Sequence, residues 1–274
     1  MDSTNIPRFE AMTTGALLDR AFRLYTSNFS LMLGITAAAY VPFYLIMLII
    51  ESHLKTNVQV PGVSLSTLLF QLVFMVLWAS IAFPIAGGAA TYAISERYLG
   101  NDITISAALR LTLSRFWRLS VAQITATIRV MFGLLLLIVP GILWILSYSL
   151  VVPAILVENQ KAIPSLRRSR DLVKGHRGKV FCILCVISLL QWIAILGVSM
   201  ISGMIFHVES GSGGVLNSAT VNLASIFVTP LGIVATILLY YDMRIRKEGF
   251  DLEMLSRAVT SSAEGVPATP TLSR

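Results

Sequence analysis

Charged residues and cysteines are both scarce in this sequence. Charged residues make up 13% of its 274 positions, whereas a soluble globular domain has about 25%. Hydrophobic residues make up 55%, and the mean hydropathy is +0.78. A core of this size cannot hide so many apolar side chains from water, which excludes an ordinary soluble protein. We therefore predict that lipid covers much of the molecular surface.

The sequence also lacks recognisable catalytic or metal-binding motifs. It contains no Walker loop, no G-x-S-x-G, no H-E-x-x-H and no Rossmann fingerprint. The only two cysteines, Cys182 and Cys185, lie within one apolar run, where we expect buried small side chains rather than zinc ligands or a disulfide. We therefore predict no catalytic residue, no metal and no cofactor, and a function that is not enzymatic.

Six apolar runs have about the length of a membrane-spanning helix, roughly 20 residues. They are Phe29–Ile50, Leu65–Ile94, Leu119–Val139, Gly141–Val157, Val180–Phe206 and Val221–Tyr241. The predicted fold is all-α, a polytopic bundle of six transmembrane helices over residues 14–255. It follows an N-terminal segment, residues 1–13, and precedes a tail rich in Ser, Thr, Ala and Pro, residues 256–274, which we expect to be disordered.

The third run is the least apolar of the six, because it contains two threonines, a glutamine and an arginine. Two readings of the third and fourth runs are therefore open. They are either two full crossings joined by a tight turn at Pro140 and Gly141, or a re-entrant hairpin that returns to the side from which it enters.

Basic residues accumulate on one side of these runs. Nineteen of the 21 lysines and arginines lie in the N-terminal segment, in the connections after the second and fourth runs, or in the C-terminal tail. The exceptions are Lys55 and Arg129. Since Lys and Arg accumulate on the cytoplasmic side of membrane proteins, we predict that both termini lie in the cytoplasm. The +7 charge is explained by this topology, so we expect no nucleic acid partner.

Three basic stretches with helical apolar spacing precede pairs of apolar runs. They are Thr14–Asn28, Thr104–Arg118 and Pro164–Arg177. Each is predicted to form an amphipathic helix at the inner membrane surface, with Arg or Lys directed to lipid phosphate. The pattern is compatible with three helix-plus-hairpin repeats.

Arginines recur on one face of the third run. Arg115, Arg118, Thr125 and Arg129 follow one another at three- to seven-residue steps, with Ala122 between them, so they share a helical face. One hypothesis is a basic stripe that guides an anionic lipid headgroup or a polar substrate inward. The alternative is that Arg129 is structural and pairs with a carboxylate near the inner helix ends. The candidates for that pairing are Glu96, Glu158 and Asp242.

Several segments together resemble a bacterial family, the membrane domain of glycerophosphoryl diester phosphodiesterase. These segments are Gly15–Tyr25, Val139–Ile142, Pro153-Ala154, Val157–Asn159, Ser165–Ser169, Leu172–Gly175 and Tyr240–Asp251. The resemblance covers roughly Thr14 to Leu255 and implies a bacterial inner-membrane protein. In that family the membrane domain can precede a separate phosphodiesterase barrel that holds the metal ligands and catalytic histidines. This sequence contains no such barrel, so the resemblance carries over no catalytic residue.

These observations favour a non-enzymatic inner-membrane protein that anchors or organises partners. We expect anionic headgroups on the cytoplasmic side as lipid partners, and a protein partner encoded nearby is compatible with this function. The alternative is a small transporter or flippase-like protein for lipids or glycerophosphodiesters. Arg129, the glutamines within the apolar runs and the prolines that interrupt those runs motivate the alternative.

Overall fold

A computed structural model of the chain describes residues 11–57, 69, 72–74, 76–98, 100–206 and 211–249. Over these residues the protein is helical, with one π-helical turn and no strand. The helices are α1 (Thr14–Ser27), α2 (Phe29–Asn57), α3 (Phe83–Tyr98), α4 (Ile105–Ser114), α5 (Phe116–Leu136), α6 (Ile138–Tyr148), α7 (Val151–Val157), α8 (Ala162–Val173), α9 (Arg177–Phe206) and α10 (Gly211–Glu248). The predicted all-α class is confirmed. The predicted tail, residues 256–274, and most of the N-terminal segment, residues 1–13, lie outside the described residues.

Among the described residues, five helical stretches are long and apolar enough to cross a membrane. They are Phe29–Ile49, Phe116–Leu136, Ile138–Val157, Arg177–Phe206 and Gly214–Glu248. This fits a multi-pass membrane protein. The second predicted run, Leu65–Ile94, falls partly on residues 65–68, 70, 71 and 75, which the structure does not describe, so the count of six crossings stays a prediction.

The three basic amphipathic stretches are separate short helices, α1, α4 and α8. Threonine side chains cap two of them, because Thr13 Oγ1 accepts a hydrogen bond from the Ala16 amide and Thr104 Oγ1 accepts one from the Ala107 amide. Helix α8 ends just before Gly175, which has a φ of +90° that favours glycine. The predicted helices are therefore confirmed, while their position at the inner membrane surface and the threefold repeat stay predictions.

The tightly packed core lies at one end of the long helices. It joins the C-terminal part of α10, the first turns of α2 and α9, and the short helices, and it includes Leu17, Val180 and Leu238. Further along α9, Trp192 and Met204 are 74% and 79% exposed. The packed end is the end where the basic residues accumulate, and the opposite halves of the helices present apolar side chains outward, as lipid contact requires.

Pro84 explains the π-helical turn at Trp78–Ala82. Proline has no amide hydrogen, so it cannot donate to the carbonyl of Ser80 four residues earlier. The Ser120 hydroxyl of α5 donates to that carbonyl instead, at 2.9 Å. A π-turn directly before a proline is thus stabilised by a neighbouring helix.

Pro230 within α10 is accommodated in the same way. It leaves the carbonyl of Ile226 without its usual helical donor. The Thr36 hydroxyl of α2 donates to this oxygen at 3.2 Å, and the Tyr25 hydroxyl of α1 donates to the adjacent carbonyl of Phe227 at 2.7 Å. These hydrogen bonds therefore connect α1 and α2 to α10 next to Pro230.

The predicted turn at Pro140 and Gly141 is wrong in detail. The chain reverses at Leu137, which is extended (φ −163°, ψ 147°), and both residues lie in the first turn of α6. Proline suits that place because a first-turn amide has no helical partner. The fourth predicted run is also not a single helix, because α6 ends at Tyr148 and α7 begins at Val151.

The predicted burial of the two cysteines is wrong as well. Cys182 and Cys185 are both free thiols and both exposed on α9. Apolar neighbours in the sequence indicated burial, but an apolar surface that faces lipid has the same composition as one that faces a protein core.

Candidate functional site

The predicted arginine stripe separates into two parts. Arg115 lies between α4 and α5, and its Nη1 donates to the carbonyls of Leu156 and Ile155 at 2.7 and 3.4 Å. Arg118 donates to Oδ1 of Asn159 at 2.9 Å. Arg115 thus provides a donor for the last carbonyls of α7, which have no helical partner, and Arg118 binds the side chain just beyond that end. Their role in the fold is structural, and they do not continue the row toward Arg129.

Thr125 does not contribute its hydroxyl to the stripe either. Its Oγ1 donates to the carbonyl of Val121 in its own helix at 2.7 Å. Arg129 instead contacts Tyr148 of α6, with 3.3 Å between Nη1 and the phenol oxygen and 5.9 Å between the guanidinium carbon and the ring centroid. A cation above a tyrosine ring is attracted to the negative face of that ring.

The three carboxylates that were candidates for pairing with Arg129 have other partners. Glu158 binds Arg168, Asp242 binds Lys179, and Glu96 accepts a hydrogen bond from Asn101. Among the residues that the structure describes, none of these carboxylates forms an ion pair with Arg129. The structural alternative is therefore wrong in its choice of partner, and Tyr148 takes that place.

Arg129 lines a cleft that contains two further arginines. The cleft has a volume of about 350 Å³, and its lining comprises Arg129 of α5, Trp144 and Tyr148 of α6, and Leu166, Arg167 and Arg170 of α8. We call it the arginine cleft. Over the described part of the chain, no carboxylate forms an ion pair with any of its three arginines. The cleft thus combines three positive charges with two aromatic rings.

Ser169 holds α8 against the break between α6 and α7. Its hydroxyl donates to the carbonyl of Ser147 at 2.7 Å and accepts from the amide of Leu150 at 3.1 Å. One buried side chain therefore satisfies two backbone groups that the helix break leaves open. Because Arg167 and Arg170 lie on either side of Ser169, this contact brings them beside Arg129.

Sequence reasoning placed Arg129 in a candidate site but missed Arg167, Arg170, Trp144 and Tyr148. The arginines of α8 were interpreted as topology signals and as contacts of an amphipathic helix with lipid phosphate, but not as partners of Arg129. Their spacing indicates which of them lie together. Arg167 and Arg170 are three residues apart and share one helix face, whereas Arg168 lies on another face. The sequence does not indicate which face of α8 meets α5 and α6.

Arg168 belongs to a separate ion-pair network at the inner helix ends. Its Nε lies 2.7 Å from Oε2 of Glu158, and its Nη2 lies 2.7 Å from Oε2 of Glu248. Arg244 lies 3.2 Å from Glu248, and the Tyr240 hydroxyl donates to Glu158 at 2.6 Å. The network connects α7, α8 and α10. It is therefore part of what holds α8, and with it the cleft, in place.

The environment of Glu158 lowers the pKa of its carboxyl. Partial burial alone would raise this pKa, but hydrogen bonds from Arg168 and Tyr240 and the charges of Arg168 and Arg244 outweigh that effect. The pKa of Arg168 is raised, chiefly by its hydrogen bond to Glu248. Both pKa shifts favour the charged forms of Glu158 and Arg168 in the folded protein.

We predict an acid-sensitive contribution of Glu158 to stability. Because the folded-state pKa lies below the ordinary value of 4.5, the stabilisation is present above that value and is lost as the pH falls through the folded-state pKa. In detergent, lowering the pH from about 6 to about 3 should reduce the melting temperature of the parent protein more than that of Glu158→Gln. Equal losses in both proteins would contradict this assignment.

Comparison with protein-family models, with curated proteins and with solved structures finds no match to this chain. The resemblance to the membrane domain of glycerophosphoryl diester phosphodiesterase thus stays a prediction that depends on the motifs quoted above.

Proposed function

We propose that this protein is a non-enzymatic, multi-pass protein of a bacterial inner membrane that binds anionic lipid headgroups and anchors partners at the cytoplasmic surface. In this proposal both termini are cytoplasmic, and the arginine cleft is the headgroup site in the inner leaflet. The single observation that supports it best is the convergence of Arg129, Arg167 and Arg170 on one cleft without a carboxylate partner among the described residues.

The chemistry of the cleft suits a phosphate-bearing lipid. Guanidinium groups donate paired N–H groups to phosphate oxygens and remain charged at any physiological pH. Trp144 and Tyr148 add rings of the kind that settle at the boundary between lipid tails and headgroups. A free cleft with three positive charges attracts a net anionic headgroup more strongly than a zwitterionic one.

The position of the cleft agrees with an inner-leaflet site. Arg167 and Arg170 belong to α8, one of the basic segments that the positive-inside rule assigns to the cytoplasmic side. The exposed apolar side chains of the α5–α6 hairpin begin directly beside the cleft, among them Met131 and Ile145. A lipid headgroup in the cleft would thus have its acyl chains next to an apolar protein surface.

The proposal can be tested with lipid binding to the purified protein. Native mass spectrometry would compare bound phosphatidylglycerol with bound phosphatidylcholine in the parent chain and in Arg129→Gln/Arg167→Gln/Arg170→Gln. One surface charge contributes about 1 kcal/mol to such binding, or roughly a fivefold change in affinity. We therefore expect the triple variant to bind phosphatidylglycerol about 100-fold more weakly, with little change for phosphatidylcholine.

Arg110→Gln is the matched control. Arg110 is an exposed arginine of α4, on the same predicted side of the membrane and outside the cleft. Because Arg110 lies outside the cleft, water and salt screen its charge from a headgroup that is bound there. The control should therefore lower phosphatidylglycerol binding by less than about twofold. Unchanged binding in the triple variant, or an equal loss in the control, would reject the cleft as the headgroup site.

The transporter alternative has less support from the described residues. Gln191, one of the glutamines that motivated it, donates to the carbonyl of Val228 at 3.1 Å near the Pro230 kink. The kinks at Pro84 and Pro230 receive hydroxyl donors from neighbouring helices. These contacts favour packing over a substrate path. Flux of phosphatidylglycerol or glycerophosphodiesters in proteoliposomes, abolished by Arg129→Gln, would instead favour transport.

A further inference from the structure

The inner end of α6 lies close to the side of the molecule where the basic residues accumulate. Ser169 binds the backbone of Ser147 and Leu150, and the neighbouring Arg168 reaches Glu248 at the C-terminal end of α10. Because the contacts of Ser169 are to backbone atoms, they locate the helix itself and not only the end of a long side chain.

Core packing also places the inner end of α6 near the basic side of the molecule. Leu146 and Leu150 belong to the same buried cluster as Val180, Ile183 and Ile187, which lie in the first three turns of α9. Helix α9 begins at Arg177 and has 30 residues, about 45 Å at 1.5 Å per residue. The end of α6 is thus level with the first turns of a helix that is long enough to cross the whole membrane.

Because α6 ends beside the first turns of α9, it is too short to reach the opposite surface of the membrane. It has 11 residues, and the ten from Ser147 back to Ile138 span about 15 Å. Helix α5 has 21 residues, but Arg129 lines the cleft beside Arg167 and Arg170 of α8, and only seven residues follow it, which span about 10 Å. The hydrocarbon core of a bilayer is about 30 Å thick. Any tilt of the hairpin would reduce its depth further.

The tip of the hairpin has the composition of a segment that stays in hydrocarbon. The six residues Leu134–Val139 are all aliphatic and between 44% and 84% exposed. From Val130 to Leu146 there is no charged, hydroxyl or amide side chain. The sequence around the start of α10 contrasts with this, because residues 207–220 include histidine, glutamate, asparagine and several serines. An exposed tip without polar groups is unsuited to an aqueous surface.

We infer that the α5–α6 hairpin is re-entrant. It enters the membrane from the basic side, reaches about the middle of the bilayer and returns to the same side at Ser147. The surface of its tip contacts the acyl-chain ends of one leaflet. This inference decides between the two readings of the third and fourth apolar runs, and it does not depend on whether the arginine cleft binds lipid. Both termini remain on the same side of the membrane, because a re-entrant hairpin and two crossings have the same parity.

Single cysteines in a Cys182→Ala/Cys185→Ala background can test the inference in reconstituted vesicles. Leu136→Cys probes the tip, Leu216→Cys probes the far end of α10, and Arg110→Cys probes the basic side. A charged, membrane-impermeant maleimide should label Arg110→Cys from one side and Leu216→Cys from the other. It should label Leu136→Cys from neither side until the membrane is dissolved in detergent.

A spin label on Leu136→Cys provides the second measurement. Its relative accessibility to oxygen and to a water-soluble nickel complex reports depth, and we expect about 15 Å from the nearer surface. Ile138→Cys is a second tip position and should report a similar depth. Labelling of either tip cysteine from the side that labels Leu216→Cys, or a depth at the far headgroup region, would overturn the re-entrant assignment and restore two full crossings.

Discussion

Replacing Asp242 with leucine is expected to lower the free energy of unfolding by about 3–5 kcal/mol. Asp242 is completely buried. Its Oδ2 lies 2.5 Å from Lys179 Nζ and 3.0 Å from Arg246 Nε, while its Oδ1 accepts the Met12 amide at 2.8 Å. Removing this carboxylate leaves a nearly buried lysine without its counter-charge. The measurement is an SDS titration of the purified protein followed by circular dichroism.

Two comparisons make the result specific. Asp19→Asn removes an exposed carboxylate that pairs with Arg23 on α1, and it should change stability by less than about 0.5 kcal/mol. Adding Lys179→Met to Asp242→Leu should recover part of the loss, because the uncompensated charge is then gone. A single variant as stable as the parent, or a double variant less stable than the single, would contradict the assignment.

Gly141→Ala is expected to destabilise the protein by about 1–3 kcal/mol through overpacking of the α5–α6 hairpin. A Cβ at this position would lie 2.9 Å from the backbone nitrogen of Leu134, and backbone cannot rotate out of the way as a side chain can. The opposing Gly133 is similarly close, since its Cβ would lie 3.0 Å from the Cα of Gly141. The same SDS titration measures the effect.

Gly197→Ala is the matched control for this change. Gly197 lies within α9, and a Cβ there would meet no atom within 4 Å. Alanine favours a helix over glycine by up to about 1 kcal/mol, so this substitution should be neutral or slightly stabilising. Only Gly141→Ala should therefore destabilise the protein, and equal effects of the two substitutions would mean that α5 and α6 do not touch at Gly141.

The membrane character and the helix positions could be predicted from local sequence alone. Runs of apolar residues and the helical spacing of basic stretches report on how each segment interacts with lipid and water, which depends little on the rest of the fold. Threonines 13 and 104, which cap α1 and α4, and Gly175, which follows α8, are signals of the same local kind. These elements agree with the prediction for that reason.

The arginine cleft could not be predicted, because it depends on which helix faces meet. Arg129 and Arg167 are 38 positions apart in the sequence. They come together because Ser169 binds the backbone at the break between α6 and α7. The fourth apolar run is continuous in the sequence and does not indicate this break. The third run, Leu119–Val139, likewise gave no indication of the reversal at Leu137. Apolar composition does not distinguish a side chain that faces lipid from one that faces protein, as the two exposed cysteines illustrate.

The sequence by itself predicted a multi-pass membrane protein with its basic residues grouped between the apolar runs, because both properties depend on composition and order along the chain. Only the tertiary structure showed which arginines share a cleft and where the chain reverses between α5 and α6. Those outcomes depend on backbone contacts between helices that are distant in sequence, and such contacts are made only when the helices pack.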